Sequence, residues 1–204
     1  GQTGSGKTVL LESMAGFYEE FSGGILYDGR PVHSIPLQDR RLGFVYQDFG
    51  LFPHMKVRAN IEYGLRIKGM KRAACEEKSR NMMELLGICH LADRYPGTLS
   101  GGEQQRTALA RALIVDPRIL FMDEPFSALD PNTKKQMYGL VREIHQLFGC
   151  TIVFVTHDFH EAEKLADRTA VIIGGRVRRI CDSRQLFLEK EDREVMEFLG
   201  ITAG

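Results

Sequence analysis

The sequence predicts an α/β protein, with a mostly parallel sheet interrupted by an inserted helical subdomain. Three observations carry that prediction. Short apolar or β-branched runs at 119–122, 151–155 and 170–173 alternate with helical stretches. A glycine-rich loop, Gly1 to Thr8, stands directly ahead of a helix. From about 57 to 113 the apolar spacing becomes helical, with no strand pattern between.

The first helix is expected over 6–15, ended by Gly16. Ile25-Leu26-Tyr27 reads as a short strand and Asp28-Gly29 as a tight turn behind it. Gly43-Phe44-Val45-Tyr46 reads as a second strand. In the helical block, Ile61, Leu65 and Ile67 mark one helix. Met82, Met83, Leu85 and Leu86 mark the end of another, stopped at Gly87, and Leu109, Ala110 and Leu113 mark a third. Strand character returns at 119–122. A long helix follows, with Asp130 as its N-cap, Pro131 at its first position and Gly149 beyond its end. The β-branched run 151–155 reads as a buried strand. Residues 170–173 read as another strand, with a Gly174-Gly175 hairpin turn behind it. From Ser183 onward the tail reads as two short helices.

The chain has 204 residues, 43% hydrophobic and 26% charged, the profile of a globular domain. Lysine plus arginine and aspartate plus glutamate both count 27. That balance lacks the broad basic surface that nucleic-acid binding needs, and no nucleic-acid partner is expected. The local run Arg176, Arg178 and Arg179 reads as a solvated strand edge. Cys75, Cys89, Cys150 and Cys181 fit no zinc spacing and are expected to be free thiols in a reducing compartment. No apolar run approaches the ~20 residues that span a bilayer.

Gly1-Gln2-Thr3-Gly4-Ser5-Gly6-Lys7-Thr8 fits G-x-x-x-x-G-K-[ST]. The glycines let several backbone N–H groups converge on one phosphate chain. Lys7 adds positive charge, the Thr8 hydroxyl can ligate Mg²⁺, and the following helix aims its N-terminal dipole at the same anion. The strand expected before such a loop is not in the sequence. Ile119-Leu120-Phe121-Met122-Asp123-Glu124-Pro125 is an apolar strand ending in two carboxylates. Alone that is an ordinary solvated strand end. Beside a phosphate loop, Asp123 is placed to hold Mg²⁺ and Glu124 to polarise a water. Leu99-Ser100-Gly101-Gly102-Glu103-Gln104-Gln105-Arg106 has capping-box spacing between Ser100 and Glu103, with two glycines in the first turn. It reads either as a plain cap or as a second anion site at a helix start.

That last segment resembles the signature motif of ABC ATPases. Gln47 and the stretch Asp48-Phe49-Gly50-Leu51-Phe52-Pro53-His54 resemble the family's Q-loop. Ser127-Ala128-Leu129-Asp130 resembles its D-loop, and His157 its switch histidine. With the phosphate loop and the carboxylate strand, these motifs stand in family order and cover essentially the whole chain. The resemblance implies a single domain over 1–204: a P-loop NTPase core over 1–47 and 117–182, a helical subdomain over 48–116 and C-terminal helices over 183–204. Family members carry strands and an adenine-stacking aromatic before the phosphate loop. The sequence reads as truncated there, so no adenine platform is assigned. Many importers carry a C-terminal β-rich regulatory domain; the sequence ends at Gly204, so that domain is either absent or cut off.

The resemblance further implies a head-to-tail homodimer with two ATP molecules at its interface. Gly1 to Thr8 of one copy would hold a nucleotide met by Ser100, Gly101 and Gly102 of the other, with Asp130 alongside. Thr8, Asp123 and Gln47 would serve Mg²⁺, and Glu124, His157 and Gln47 would act in hydrolysis. The expected partners are transmembrane permease subunits at the cytoplasmic face of the membrane, and indirectly a solute-binding protein. Phe49, Leu51 and Phe52 read either as subdomain core or as a groove for the permease. The residues 9–99 between Thr8 and Ser100 hold no sustained heptad, which argues against the DNA-repair branch of the superfamily. The stretches 12–17 and 45–65 look most like molybdate or tungstate importers, with sulfate, polyamine and iron systems as alternatives.

Overall fold

The computed structural model describes residues 1, 4–18, 22–188 and 192–201. Helix α1 (Lys7–Ala15) starts one residue later than expected and stops at Gly16. Strands β1 (Leu26–Tyr27) and β2 (Arg30–Pro31) pair antiparallel across Asp28-Gly29. Both turn residues have positive φ, 49° and 77°, as a two-residue hairpin turn requires. Strand β3 (Leu42–Val45) lies one residue ahead of its expected place. The helical block holds α2 (Val57–Ile67), α3 (Arg72–Leu85) and α4 (Gly101–Leu113). Then come β4 (Ile119–Asp123), α5 (Pro131–Phe148), β5 (Thr151–Val155) and α6 (Phe159–Leu165). The chain continues through β6 (Arg168–Ile173), β7 (Arg176–Asp182), a 3₁₀ segment Ser183–Leu188 and α7 (Arg193–Leu199).

Strands β3, β4 and β5 form a parallel sheet in that order, with Val45 opposite Met122 and Phe121 opposite Val153. Side chains alternate across the central strand β4. Leu120 and Met122 join Val45, Ile61, Leu109 and Leu113 in the large core shared with the helical block. Phe121 packs on the opposite face against Leu11 and Ala15 of α1. Each such fully buried side chain contributes roughly 1.5–3 kcal/mol relative to exposure. The result clamps the ends of β3 and β4 between α1 and the helical block.

Strands β6 and β7 pair antiparallel around Gly174-Gly175 as a separate two-stranded sheet. The arginine run lies on β7 at the surface, and Arg178 pairs with Asp192 (3.1 Å) and Glu194 (2.9 Å). One expectation is corrected. Strand β5 is not fully buried, because Thr151 is exposed and residues 152–155 are half-buried. Its β-branched run reports a strand, and among the described residues β5 pairs with β4 alone. One side bonds β4, while the other faces a groove of about 320 Å³ toward β6, lined by Leu10, Leu11, Val153, Val155 and Val171.

Candidate nucleotide site

The loop from Gly1 leads into α1 through Gly4 (φ 79°) and Gly6 (φ 85°), conformations that strain any residue with a Cβ. A Cβ at either glycine would meet nothing within 4 Å, so the loop borders open space. Gly6 is the N-cap of α1, and among the described residues no side chain caps that helix. Its first-turn N–H groups are therefore left to bind an anion at the positive end of the helix dipole. Gln2 and Thr3 lie outside the described residues. Lys7 is buried. Its Nζ donates to the Gly1 carbonyl at 2.6 Å and lies 3.7 Å from Glu124 Oε1.

Thr8 Oγ1 donates to Asp123 Oδ2 at 2.7 Å, joining the loop to the end of β4. Asp123 Oδ1 and Ser5 Oγ are buried with no hydrogen-bond partner among the described residues. Burial pushes the Asp123 carboxyl up, against the opposing pull of the Thr8 hydroxyl. A buried carboxylate oxygen without a donor, beside a hydroxyl, fits a hard cation such as Mg²⁺, which takes one or two carboxylates and keeps several waters. Gln47 is exposed and lines a cleft of about 590 Å³ with Asp123, Tyr46, Asp48 and Ser127.

Glu124 adopts φ 42°, a strained value for a residue with a side chain. Its N–H bonds the Val155 carbonyl at 3.0 Å, which pins the end of β4 to the end of β5. Its Oε2 lies 2.9 Å from Nδ1 of half-exposed His157, two residues past β5. Gly1, Lys7, Thr8, Asp123, Glu124 and His157 thus converge on one face of the parallel sheet's C-terminal edge.

Ser100, Gly101 and Gly102 are held elsewhere. The capping box at the start of α4 is complete. The Ser100 N–H and Oγ–H donate to Glu103 Oε2 at 2.7 and 2.8 Å, and the Glu103 N–H returns to Ser100 Oγ at 3.4 Å. Those bonds hold the Glu103 carboxyl below its ordinary value. A Cβ on Gly101 would lie 3.5 Å from Leu129, and one on Gly102 2.8 Å from Thr133. This helix start therefore rests on the 127–133 segment of its own chain. Asp130 accepts from the N–H groups of Asn132 and Thr133 and from the Thr133 hydroxyl, so its carboxylate caps α5.

Of the aromatic stretch, Phe49 is buried in the core, while Phe52 is half-buried. Phe52 packs at a 51° tilt against exposed Tyr63, ring centres 4.6 Å apart, and lies under the Arg111 guanidinium at 5.2 Å. Sequence reasoning missed Glu161, buried in α6 and bonded to Thr156, beside His157. Its one signal, the spacing Asp158-x-x-Glu161, spells a capping box.

Comparison with known proteins agrees with this geometry. The sequence profile of the ABC transporter family matches residues 1–127. The molybdate/tungstate import ATP-binding protein WtpC of Pyrococcus horikoshii is 44% identical over 98% of the chain and 58% of its own length. The sulfate/thiosulfate import ATP-binding protein CysA of Escherichia coli K12 is 43% identical over 98% of the chain and 56% of its own length. The chain thus spans a little over half the length of these relatives. The solved structure of cbiO1 from Clostridium perfringens, part of the ABC transporter complex cbiONQ, superposes with a TM-score of 0.82 at 28% identity, over 98% of this chain and 81% of that one. No helix among the described residues is long and apolar enough to cross a membrane. With its phosphate loop, its carboxylate pair and its histidine gathered at one sheet edge, the chain belongs to the ABC transporter family.

Proposed function

We propose that this chain is the ATP-binding and ATP-hydrolysing subunit of an ABC importer, acting as a dimer on the cytoplasmic face of the membrane. One observation carries the reading: Glu124 meets both Lys7 and His157 while neighbouring Asp123 holds Thr8. That arrangement serves in-line attack of water on a terminal phosphate. Lys7 and the N–H groups behind Gly4 and Gly6 hold the phosphates. Thr8, Asp123 and Gln47 would hold Mg²⁺, which neutralises developing charge on the phosphate oxygens. Glu124 takes the proton from the attacking water, and His157 orients Glu124 and contacts the phosphate. Ser100, Gly101 and Gly102 lie against the 127–133 segment, so in this reading they, with Asp130, serve the nucleotide of a second copy.

The half-buried Phe52 and exposed Tyr63 offer a surface for a permease subunit, which reaches the solute-binding protein only indirectly. For the cargo, WtpC and CysA support a tetrahedral oxyanion, and molybdate or tungstate is our reading, with sulfate the other. Two experiments test these readings. Lys7→Ala abolishes ATP binding at micromolar concentration in a calorimetric titration, and unchanged binding removes Lys7 from its role. Uptake by vesicles holding the permease and this subunit separates molybdate from sulfate.

A further inference from the structure

Glu161 is 3% exposed, and its carboxylate is engaged on both oxygens. Oε2 accepts from Thr156 Oγ1 at 2.6 Å. Oε1 accepts from Lys134 Nζ at 2.9 Å and from the Tyr138 hydroxyl at 3.3 Å. A carboxylate is the side chain that accepts from three donors without supplying one. It is not capping its own helix, because the Asp158 N–H that a capping-box glutamate would accept from donates instead to Thr156 Oγ1 at 2.9 Å. Burial, with the Glu161 charge beside it, pushes the Tyr138 phenol far above its ordinary value.

The partners of Glu161 belong to the segments that carry the reacting groups. Thr156 precedes His157, and its Oγ1 also accepts the Asp158 N–H at 2.9 Å, so the loop is held on both sides of His157. Lys134 and Tyr138 lie in the first turns of α5. The Tyr138 ring packs edge-on against Phe126 at 5.0 Å, two residues past Glu124. One buried carboxylate thereby joins the loop of His157 to the segment of Glu124. The geometry points to Glu161 as a positioning residue that fixes the His157 loop against α5, so that His157 Nδ1 stays at 2.9 Å from Glu124.

The inference rests on the ATPase reading, and its test keeps the two apart. ATP turnover is measured for the wild type, Glu161→Ala, Glu161→Gln, Thr156→Val and His157→Ala. Amide hydrogen exchange is measured without nucleotide. Glu161→Ala and Thr156→Val lower kcat by about 10- to 100-fold, the scale of an ångström-sized misplacement, with KM for ATP within about twofold. Glu161→Gln keeps an acceptor for Lys134, and the Thr156 hydroxyl can turn to accept its amide. It therefore retains most of kcat, and it guards against an alanine variant that fails to fold. On a His157→Ala background, Glu161→Ala adds little further loss. Amides at 157–160 exchange faster in Glu161→Ala, while those in the middle of α5 do not change. Wild-type exchange in the loop, a full additive loss on the His157→Ala background, or a KM effect as large as the kcat effect each overturns the inference. A wild type that hydrolyses no ATP overturns the ATPase reading, while the exchange data still decide whether Glu161 anchors the loop.

Discussion

At Glu124 one carboxylate faces Lys7 with one oxygen and His157 with the other. A phosphate arriving at the loop competes with that carboxylate for Lys7. Glu124→Gln keeps the size of the side chain, removes the negative charge and loses the ability to take a proton from water. We expect this variant to bind Mg-ATP several-fold to about tenfold more tightly, the last equivalent to ~1.4 kcal/mol. Its hydrolysis falls by orders of magnitude, and it elutes as a dimer with Mg-ATP in size-exclusion chromatography. Near-wild-type turnover would take the base role away from Glu124 and make His157 the first alternative. The four cysteines are free, and they differ in access. Cys89 is exposed, Cys181 half-buried, and Cys75 and Cys150 buried, with burial also pushing the Cys150 thiol up. A thiol-reactive chromophore should modify Cys89 first and the buried pair only on unfolding, and blocking Cys89 should leave ATP turnover unchanged. Fast modification of all four would contradict the packing around Cys75 and Cys150.

The start of α4 shows how an element's fit sets the form of its test. Gly102→Asp would place a carboxylate where a phosphate of the partner's nucleotide is proposed to sit, and like charges in a dry interface repel strongly. Gly102 also faces Thr133, which would have to shift for any Cβ there. Gly102→Ala is therefore the matching control, since it adds the Cβ without the charge. We expect Gly102→Asp to bind ATP as a monomer but neither to close nor to hydrolyse, and Gly102→Ala to hydrolyse at a reduced rate. Equal loss in both would assign the effect to the contact with Thr133 rather than to charge. Elements with local end signals are legible in the sequence. Asp130-Pro131 and Gly149 state the ends of α5 by their own geometry, and the structure keeps both. Helix α6 is not legible, because seven residues carry little periodicity and its cap, Asp158, sits inside the histidine loop. The Asp158-x-x-Glu161 spacing suggests a side chain folded back on its own helix. Instead Glu161 reaches Lys134, 27 residues away, which no local pattern encodes.

Across the whole molecule, the phosphate loop, the carboxylate pair and His157 are legible because each is a short motif, and the parallel sheet delivers their ends to one edge. The rest of the reading, Ser100 to Gly102 meeting a nucleotide, needs a second copy, and one chain's sequence holds no distance between copies. The placement of β5 depends equally on what lies beside it. The same run that marks a strand reads alike for an interior strand and for one bonded on a single side. Residues 150–155 read Cys-Thr-Ile-Val-Phe-Val, six residues without charge, proline or glycine. Among the described residues β5 pairs with β4 alone. Whenever unfolding exposes it, so apolar a run can pair with the same run of another molecule. Refolding yield therefore falls as protein concentration rises, and light scattering during dilution from denaturant would record that loss of solubility.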